Sequence, residues 1–376
     1  MFSERTNCIF CKTILNDTFF EKDFQIPIAC YCKEESLNND VFIPYNVYTC
    51  TNCKTSQTKY LGDLNLIYKI NHADSTGTIM KNLHKTVSQI VKKHANEITN
   101  ITEIGCSKGI LSGIILNEIS QISKYYIIEP QFIGNKHSKQ IIIDDFFENV
   151  DYSKYIDSNT IIISHVFEHF YDPLNILEVI KNNKNVENIM LVWPDLEYYK
   201  NNNNYHVLNT EHTFYIDNSF VKKIFNNYSF EMMEETFYEN HSVIYYFKRN
   251  DSLICEKIIN IDYSIDNYFS NILNKKDEIY KFIQDNKNNN KKICIWPGSV
   301  HTQFLIMLLE ITNFDYVLDN SINKIGKYLY GYNLECKSLQ DNFETEDYAI
   351  ILNGGVFNKE VKNSLKINKN QIFINE

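Results

Sequence analysis

A glutamate–histidine pair, Glu211-His212, lies in the segment "NTEHTFY" (209–215). It follows an apolar run, "IMLVWPDLE", that is typical of a buried strand. Beside the carboxyl end of a sheet, such a carboxylate can orient the imidazole while the imidazole takes a proton. The pair is therefore a candidate general base, and a solvated turn is the alternative.

A second histidine-rich segment is "ISHVFEHFYDP" (163–173). His165, Glu168 and His169 match the H-x-x-E-H pattern of some zinc proteases, which requires both histidines on one helix face. Here His165 follows the strand-like run "TIIIS", and a helix is expected to begin only after Asp172-Pro173. The segment therefore does not favour a protease. For His169 an ordinary surface position is the alternative to a role in a site.

Six of the ten cysteines fall within the first 53 residues. Two C-x-x-C pairs can complete a tetrahedron of thiolates around a structural zinc ion, which leaves no open position for catalysis. The predicted ligands are Cys8, Cys11, Cys50 and Cys53, with Cys30 and Cys32 as competitors. Disulfides are not expected, because no export signal is visible at the start of the chain.

The stretch "ITEIGCSKGILSG" (101–113) places glycines directly after a strand-like run. Gly105 and Gly109 allow a tight turn and close approach of a ligand, and the helix that follows offers free N–H groups. Glu129 ends the next predicted strand, 20 residues beyond Gly109, where a carboxylate can bind both ribose hydroxyls. The layout predicts a nucleoside site, although the dinucleotide pattern G-x-G-x-x-G is absent.

Strand-like and helix-like runs alternate through most of the remaining chain, which predicts an α/β fold with parallel sheets. We expect a zinc-binding ribbon over 1–60, a central Rossmann-like domain over 61–285, and a smaller Rossmann-like α/β domain over 286–376. The run "HSVIYYFKR" is expected to be an antiparallel strand at the edge of the central sheet. The run "DNKNNNKK" (285–292) is expected to be a polar linker.

The chain has 376 residues and a formal net charge of −10, which argues against a nucleic-acid surface. It has no run of 18 or more apolar residues, so no membrane span is expected. A soluble cytoplasmic protein, monomeric or homodimeric, is the resulting expectation.

The glycine stretch resembles motif I of class I methyltransferases, which bind S-adenosyl-L-methionine. The resemblance implies that Glu103 and the backbone of Gly105, Cys106 and Ser107 hold the amino-acid end of the cofactor. It implies further cofactor contacts from Glu129 and Pro130 at the ribose and from Asp145 and Phe146 near the adenine. It also implies a contact from His165, which stands where motif IV begins.

Together the motifs resemble the sugar C-methyltransferases, which carry an amino-terminal zinc module and a carboxy-terminal α/β domain. The resemblance covers nearly the whole chain and includes "PYNVYTCTNCKTSQ", "LVWPDLE", "EHTFY" and "VLDNSINKIGKYLYG" (317–331). It implies a nucleotide-linked 4-keto-6-deoxysugar as substrate. His212 would remove a proton with Glu211 orienting it, and His169 would stabilise the enolate.

The same resemblance makes Tyr68 and Ser75 candidates to cover the cofactor. The chain departs from the family at Asn209, where a tyrosine is usual, and at 240–242. These departures leave O-methylation of a sugar or small metabolite open. A non-catalytic zinc-ribbon protein is a further alternative. For the carboxy-terminal domain, with Trp296, Gly298 and His301 at its first strand end, we expect bracing of the fold and some substrate contact.

Overall fold

The computed structural model describes residues 1–34, 39–70, 77–152, 156–202, 204–254, 265–339, 347–365 and 372–374. Ser75, a predicted cofactor contact, lies outside these ranges. Across them, no helix is both long enough and apolar enough to cross a membrane.

A seven-stranded sheet forms the centre of the molecule. Its strands are β1 (Asn100–Ile104), β2 (Lys124–Ile128), β3 (Gln140–Ile143), β4 (Thr160–Ser164), β5 (Asn188–Pro194), β6 (Phe230–Tyr238) and β7 (Ser242–Arg249). The spatial order is β3-β2-β1-β4-β5-β7-β6, with the first five strands parallel and β7 antiparallel to both neighbours. The antiparallel direction of β7 is confirmed, but its predicted edge position is wrong because β6 pairs outside it.

Helices cover both faces of this sheet, because the parallel strands are buried on both sides. Every residue of β5 is buried. Met190 packs with the helices Thr78–Lys93 and Ile110–Glu118, whereas its neighbours Ile189 and Leu191 pack with the helices Pro173–Asn182 and Asn218–Asn227. Two shorter helices complete this part of the chain, Leu64–Ile67 and Leu196–Asn201.

The amino-terminal residues form short strands around the cysteine pairs. They are Phe2–Glu4, Phe24–Pro27, Cys32–Lys33, Phe42–Tyr45, Val47–Thr49, Ser56–Thr58 and Tyr60–Gly62. The strand Ser56–Thr58 also pairs with Phe214–Tyr215, two residues after His212. The amino-terminal module is thereby joined directly to the segment that carries the candidate base.

A second seven-stranded sheet lies in the carboxy-terminal region. In spatial order it contains Ile372–Ile374, Tyr348–Leu352, Lys292–Trp296, Tyr316–Asp319, Glu335–Ser338, Tyr328–Leu329 and Cys32–Lys33. Its helices are Asp266–Asn274, Lys276–Asn288, Val300–Leu309 and Asn358–Ser364. The alternation of the sequence predicts strands in this region, and the runs "KICIW", "YVLD" and "YAIIL" form them. The predicted linker is partly helical because the helix from Lys276 continues to Asn288.

The amino-terminal and carboxy-terminal regions share one hydrophobic core. Cys32–Lys33 forms the last strand of the carboxy-terminal sheet, and the Tyr45 ring packs edge-on to Phe304 at 5.5 Å between centroids. The amino-terminal region is therefore packed against both α/β units.

Candidate active site

A cleft opens at the carboxyl ends of β1, β2 and β4, where the sequence predicts a nucleoside site. It holds about 870 Å³ of empty space with its open mouth included. Its lining includes most of the predicted residues: Tyr68, Gly105, Ser107, Glu129, Pro130, Asp145, Phe146, His165, His169 and Glu211. A smaller adjoining pocket is lined by Glu103, Gly105, Cys106, Ser107 and His165, together with His84.

The glycine loop follows β1 and depends on left-handed backbone conformations. Gly105 has φ +69°, and a Cβ there would lie 2.5 Å from Cγ2 of Val166. Gly109 has φ +65° and is the N-cap of the helix Ile110–Glu118 rather than a lining residue. Ser107 adopts φ +53° although it carries a side chain, which is the kind of backbone strain that collects at binding sites.

Two buried carboxylates flank this loop. Glu129 accepts hydrogen bonds from the backbone N–H groups of Ser107 at 2.7 Å and Gln131 at 3.1 Å. Glu103 accepts one from the Tyr125 hydroxyl at 2.8 Å. Burial, with a smaller contribution from the nearby Glu129, raises the pKa of Glu103 to about 7 against the lowering effect of the Tyr125 hydrogen bond. One carboxylate thus shapes the loop, and the other is poised to change charge near neutral pH.

Asp145 lies at the opposite wall of the cleft. Its carboxylate accepts hydrogen bonds from the Phe146 backbone N–H and the Asn149 side-chain amide, both at 2.7 Å. These contacts fix the start of the short helical turn Phe147–Asn149. Phe146 and Phe147 themselves line the cleft.

Two histidines and two glutamates converge at one end of the cleft. His169 Nδ1 lies 2.9 Å from the Tyr68 hydroxyl and 3.9 Å from Glu211 Oε2. The rings of His169 and His212 are 5.2 Å apart between centroids. His212 Nε2 lies 3.9 Å from Oε1 of Glu168. His212 therefore packs beside His169, which lines the cleft.

The sequence predicts that Glu211 orients His212, and two carboxylates act on this imidazole, Glu168 and Glu211. Glu168 is the carboxylate within ion-pair distance of the His212 ring, while Glu211 has that relation to His169. Glu211 also lines the cleft. Glu168 also bonds to Nδ1 of His165 at 3.3 Å.

Burial controls the protonation of this group. Burial lowers the pKa of His212 to about 3, against the opposing effect of Glu168, so the imidazole is neutral at neutral pH. Burial alone would raise the pKa of Glu168, but the hydrogen bond from His165 and the adjacent imidazoles lower it to about 2. The site thus combines an imidazole that can accept a proton with an ionised carboxylate that can stabilise the resulting cation.

The backbone around His212 is held by Asn209, where the resembled family has a tyrosine. Its side-chain oxygen accepts hydrogen bonds from the N–H groups of Glu211 at 2.8 Å and His212 at 2.9 Å. An asparagine side chain commonly stabilises a turn in this way. The departure at 209 thus has a local structural role.

Arg5 of the amino-terminal region also holds this segment. Its guanidinium donates hydrogen bonds to the carbonyl oxygens of Thr213 at 2.7 Å, Tyr171 at 3.1 Å and Thr58 at 3.3 Å. These carbonyls belong to the His212 segment, the His169 segment and the amino-terminal module. One buried side chain therefore ties three parts of the chain together beside the site.

The four predicted zinc ligands come together away from the cleft. The sulfur atoms of Cys8, Cys11, Cys50 and Cys53 all lie within 4.8 Å of one another. Both pairs are knuckles of the same form, since Lys12 and Lys54 each adopt positive φ and donate a backbone hydrogen bond to the carbonyl of the first cysteine. Four converging thiols, three of them buried, fit a tetrahedral zinc ion. The competitors Cys30 and Cys32 are not members of this cluster.

Three residues near the cleft have no role in the sequence-based prediction. Glu168 was visible only as part of the H-x-x-E-H pattern. His84 lies on the helix Thr78–Lys93, and burial lowers its pKa to about 4. Ser242 Oγ contacts Nε2 of His165 at 2.9 Å and Nδ1 of His241 at 2.6 Å. No motif signals the last two, because only the packing of distant elements brings them to the site.

Comparison with known proteins adds one family match. Residues 257–372 match the model of the C-methyltransferase C-terminal domain. No curated protein shows significant similarity to the chain.

Similar solved structures include magnesium protoporphyrin IX methyltransferase from Synechocystis PCC 6803 with bound SAH, at 11% identity and TM-score 0.35 over 49% of this chain and 93% of that one. They also include the N-methyltransferase NodS from Bradyrhizobium japonicum WM9, at 10% identity and TM-score 0.33 over 47% and 100% of the two chains. An O-methyltransferase family protein from Burkholderia thailandensis is 7% identical, with TM-score 0.35 over 46% and 58%. The matched carboxy-terminal domain is a methyltransferase domain, and the cleft lies at the glycine loop where the sequence predicts the cofactor. The chain is an S-adenosylmethionine-dependent methyltransferase.

Proposed function

We propose that this methyltransferase transfers the methyl group to a carbon of a nucleotide-linked keto-deoxysugar. The observation that carries the proposal is the largely buried imidazole of His212, which lies 3.9 Å from the Glu168 carboxylate and beside the cleft-lining His169. Transfer to carbon requires a base for an acidic C–H group, and a keto sugar has such a group beside its carbonyl. The matched C-methyltransferase domain supports the same chemistry.

The lining of the cleft suits the proposed cofactor. A carboxylate at Glu129 faces the position of a ribose, while Phe146 and Pro130 offer apolar surface to a base. Glu103 and the Ser107 backbone border the adjoining pocket, where a methionine-like end with its ammonium group would fit. The cofactor supplies an electrophilic methyl group on a sulfonium.

The proton transfer is assigned to the residues around His212. Its imidazole accepts the proton from the carbon beside the ketone, and Glu168 stabilises the imidazolium at 3.9 Å. In this scheme His169, whose Nδ1 lies 2.9 Å from the Tyr68 hydroxyl, donates a hydrogen bond to the enolate oxygen. Glu211 orients His169 in this scheme, rather than the base itself.

We assign the cysteine cluster a structural Zn²⁺ ion. The strands on either side of Cys50 and Cys53 form a small sheet that continues into Phe214–Tyr215. The ion would fix this sheet and thereby the position of His212. No step of the methyl transfer is assigned to it.

A product assay tests the function. The protein is incubated with methyl-¹³C-labelled cofactor and a panel of nucleotide-linked 4-keto-6-deoxysugars, and the product is examined by NMR. A labelled signal at the chemical shift of a C-methyl group is expected. A labelled methoxy signal would instead establish O-methylation, and no labelled product from any keto sugar would contradict the proposed substrate class.

A further inference from the structure

One carboxylate oxygen in the active site lacks a hydrogen-bond partner. Glu168 is 1% exposed, and its Oε2 atom has none. Its other oxygen faces His165 and His212. A buried anionic oxygen without a partner costs free energy, so such an atom indicates a ligand that carries positive charge or a donor.

Two imidazoles lie near this carboxylate. One ligand atom each from Glu168, His169 and His212 lies within 4.8 Å of the other two. The two rings are inclined by 49°, so they do not stack. Ligand atoms lie about 2.0–2.2 Å from a zinc ion. Binding an ion would therefore require each of the three ligand atoms to move by roughly half an ångström, which side-chain rotation allows.

We propose that Glu168, His169 and His212 bind a first-row divalent cation such as Zn²⁺ or Co²⁺, at a site distinct from the four-cysteine cluster. Two imidazoles and one carboxylate with open positions favour these metals over Mg²⁺ and Ca²⁺, which take oxygen ligands. Glu211, 3.9 Å from His169, adds a second negative charge beside the ion.

In this site the H-x-x-E-H segment supplies two ligands, its glutamate and its second histidine. His165 precedes the turn with φ +52° and is not in the cluster, so the paired histidines of a protease helix are not formed. His212, from a segment more than 40 residues later, takes the missing place. Only the fold brings this third ligand to the glutamate and the histidine.

The cation has a consequence for catalysis that rests on the proposed function. A nitrogen of His212 that binds a cation has no lone pair left to accept a proton. Cation binding and proton abstraction by His212 therefore exclude each other, and the ion acts as a reversible inhibitor that controls the base.

Cobalt spectroscopy tests the site on the full-length protein with its native metal content. Co²⁺ added to the wild-type protein is expected to give weak visible d–d absorption from one additional ion per chain. Thiolate-to-cobalt charge-transfer bands in the near ultraviolet would show cobalt entering the cysteine cluster instead. The visible absorption is expected to disappear in Glu168→Gln and in His169→Asn, and to remain in the control His94→Asn, which removes a histidine that pairs with Glu234.

The outcomes separate this inference from the proposed function. No additional cobalt in the wild-type protein, or equal binding in both site variants, overturns the site. Cobalt that binds without slowing methyl transfer overturns the inhibition. If no keto sugar is methylated but the additional cobalt binds and depends on Glu168, the proposed function fails and the metal site stands.

Discussion

Replacing Arg5 by methionine should loosen the catalytic segment without touching the cleft. The guanidinium is buried, and burial lowers its pKa only to about 10, so it remains charged at neutral pH. Methionine keeps much of the apolar stem but loses all three hydrogen bonds to carbonyl oxygens. A hydrogen bond from a charged donor contributes about 1.5–3 kcal/mol, partly offset here by the cost of burying the charge.

We therefore expect Arg5→Met to lower the free energy of unfolding by about 3 kcal/mol. Thr213 directly follows His212 in the chain. Part of the lost stabilisation should therefore appear as greater mobility of the His212 imidazole. If misplacement of the imidazole raises the activation free energy by about 1.4–2.8 kcal/mol, kcat falls roughly tenfold to a hundredfold. The affinity for S-adenosylmethionine, measured by calorimetry, should change by less than about twofold, because no contact of Arg5 involves the cleft lining.

The matched control is Arg249→Met, because Arg249 is the other arginine of the chain. Its guanidinium donates hydrogen bonds to the carbonyls of Val186, Lys181, Ile180 and Asn183, at the opposite end of the central sheet. Chemical denaturation should show a similar loss of stability in both variants, with the fall in kcat confined to Arg5→Met. An equal kcat in the two variants would refute the idea that Arg5 positions His212.

Three further perturbations test other parts of the site. His212→Asn should abolish methyl transfer while calorimetry shows unchanged cofactor affinity, and residual turnover above about 1% of the wild type would exclude His212 as the base. Because burial raises the pKa of Glu103 to about 7, its carboxylate gains charge as pH rises from 6 to 8; cofactor affinity should rise over this range, whereas Glu103→Gln should show a flat profile. Gly105→Ala should weaken cofactor binding at least about tenfold, since its Cβ would lie 2.5 Å from Val166 and φ is positive; Val166→Ala should restore only the part due to the clash, and full binding by Gly105→Ala alone would contradict the tight approach.

Much of the central fold was predictable because local patterns and packing agree there. The runs "NITEI" and "NIMLVWP" are buried on both faces of a parallel sheet, which leaves an apolar signature that needs no knowledge of partners. The strand β3 was missed because "QIII" is short and partly exposed. The edge strand β6 was missed because charged residues interrupt it.

The cofactor side of the cleft was also largely predictable. Gly105 and Glu129 follow consecutive strands, and parallel neighbouring strands bring their carboxyl ends to one edge of the sheet. Position along the chain therefore fixed their proximity. The two C-x-x-C pairs carried a comparable signal, and the structure brings their sulfur atoms together.

The roles of the charged groups in the catalytic cluster were decided by tertiary structure. Glu211 is next to His212 in the chain, yet Glu168 faces the imidazole in the fold, because adjacent residues in a turn direct their side chains differently. The hydrogen bonds of Arg5 likewise join residues up to 208 positions apart. The sequence alone determined which chemical groups are present and which strand ends carry them. Their pairing, their burial and hence their protonation depend on distant segments packed around them, and only the folded chain supplies these contacts.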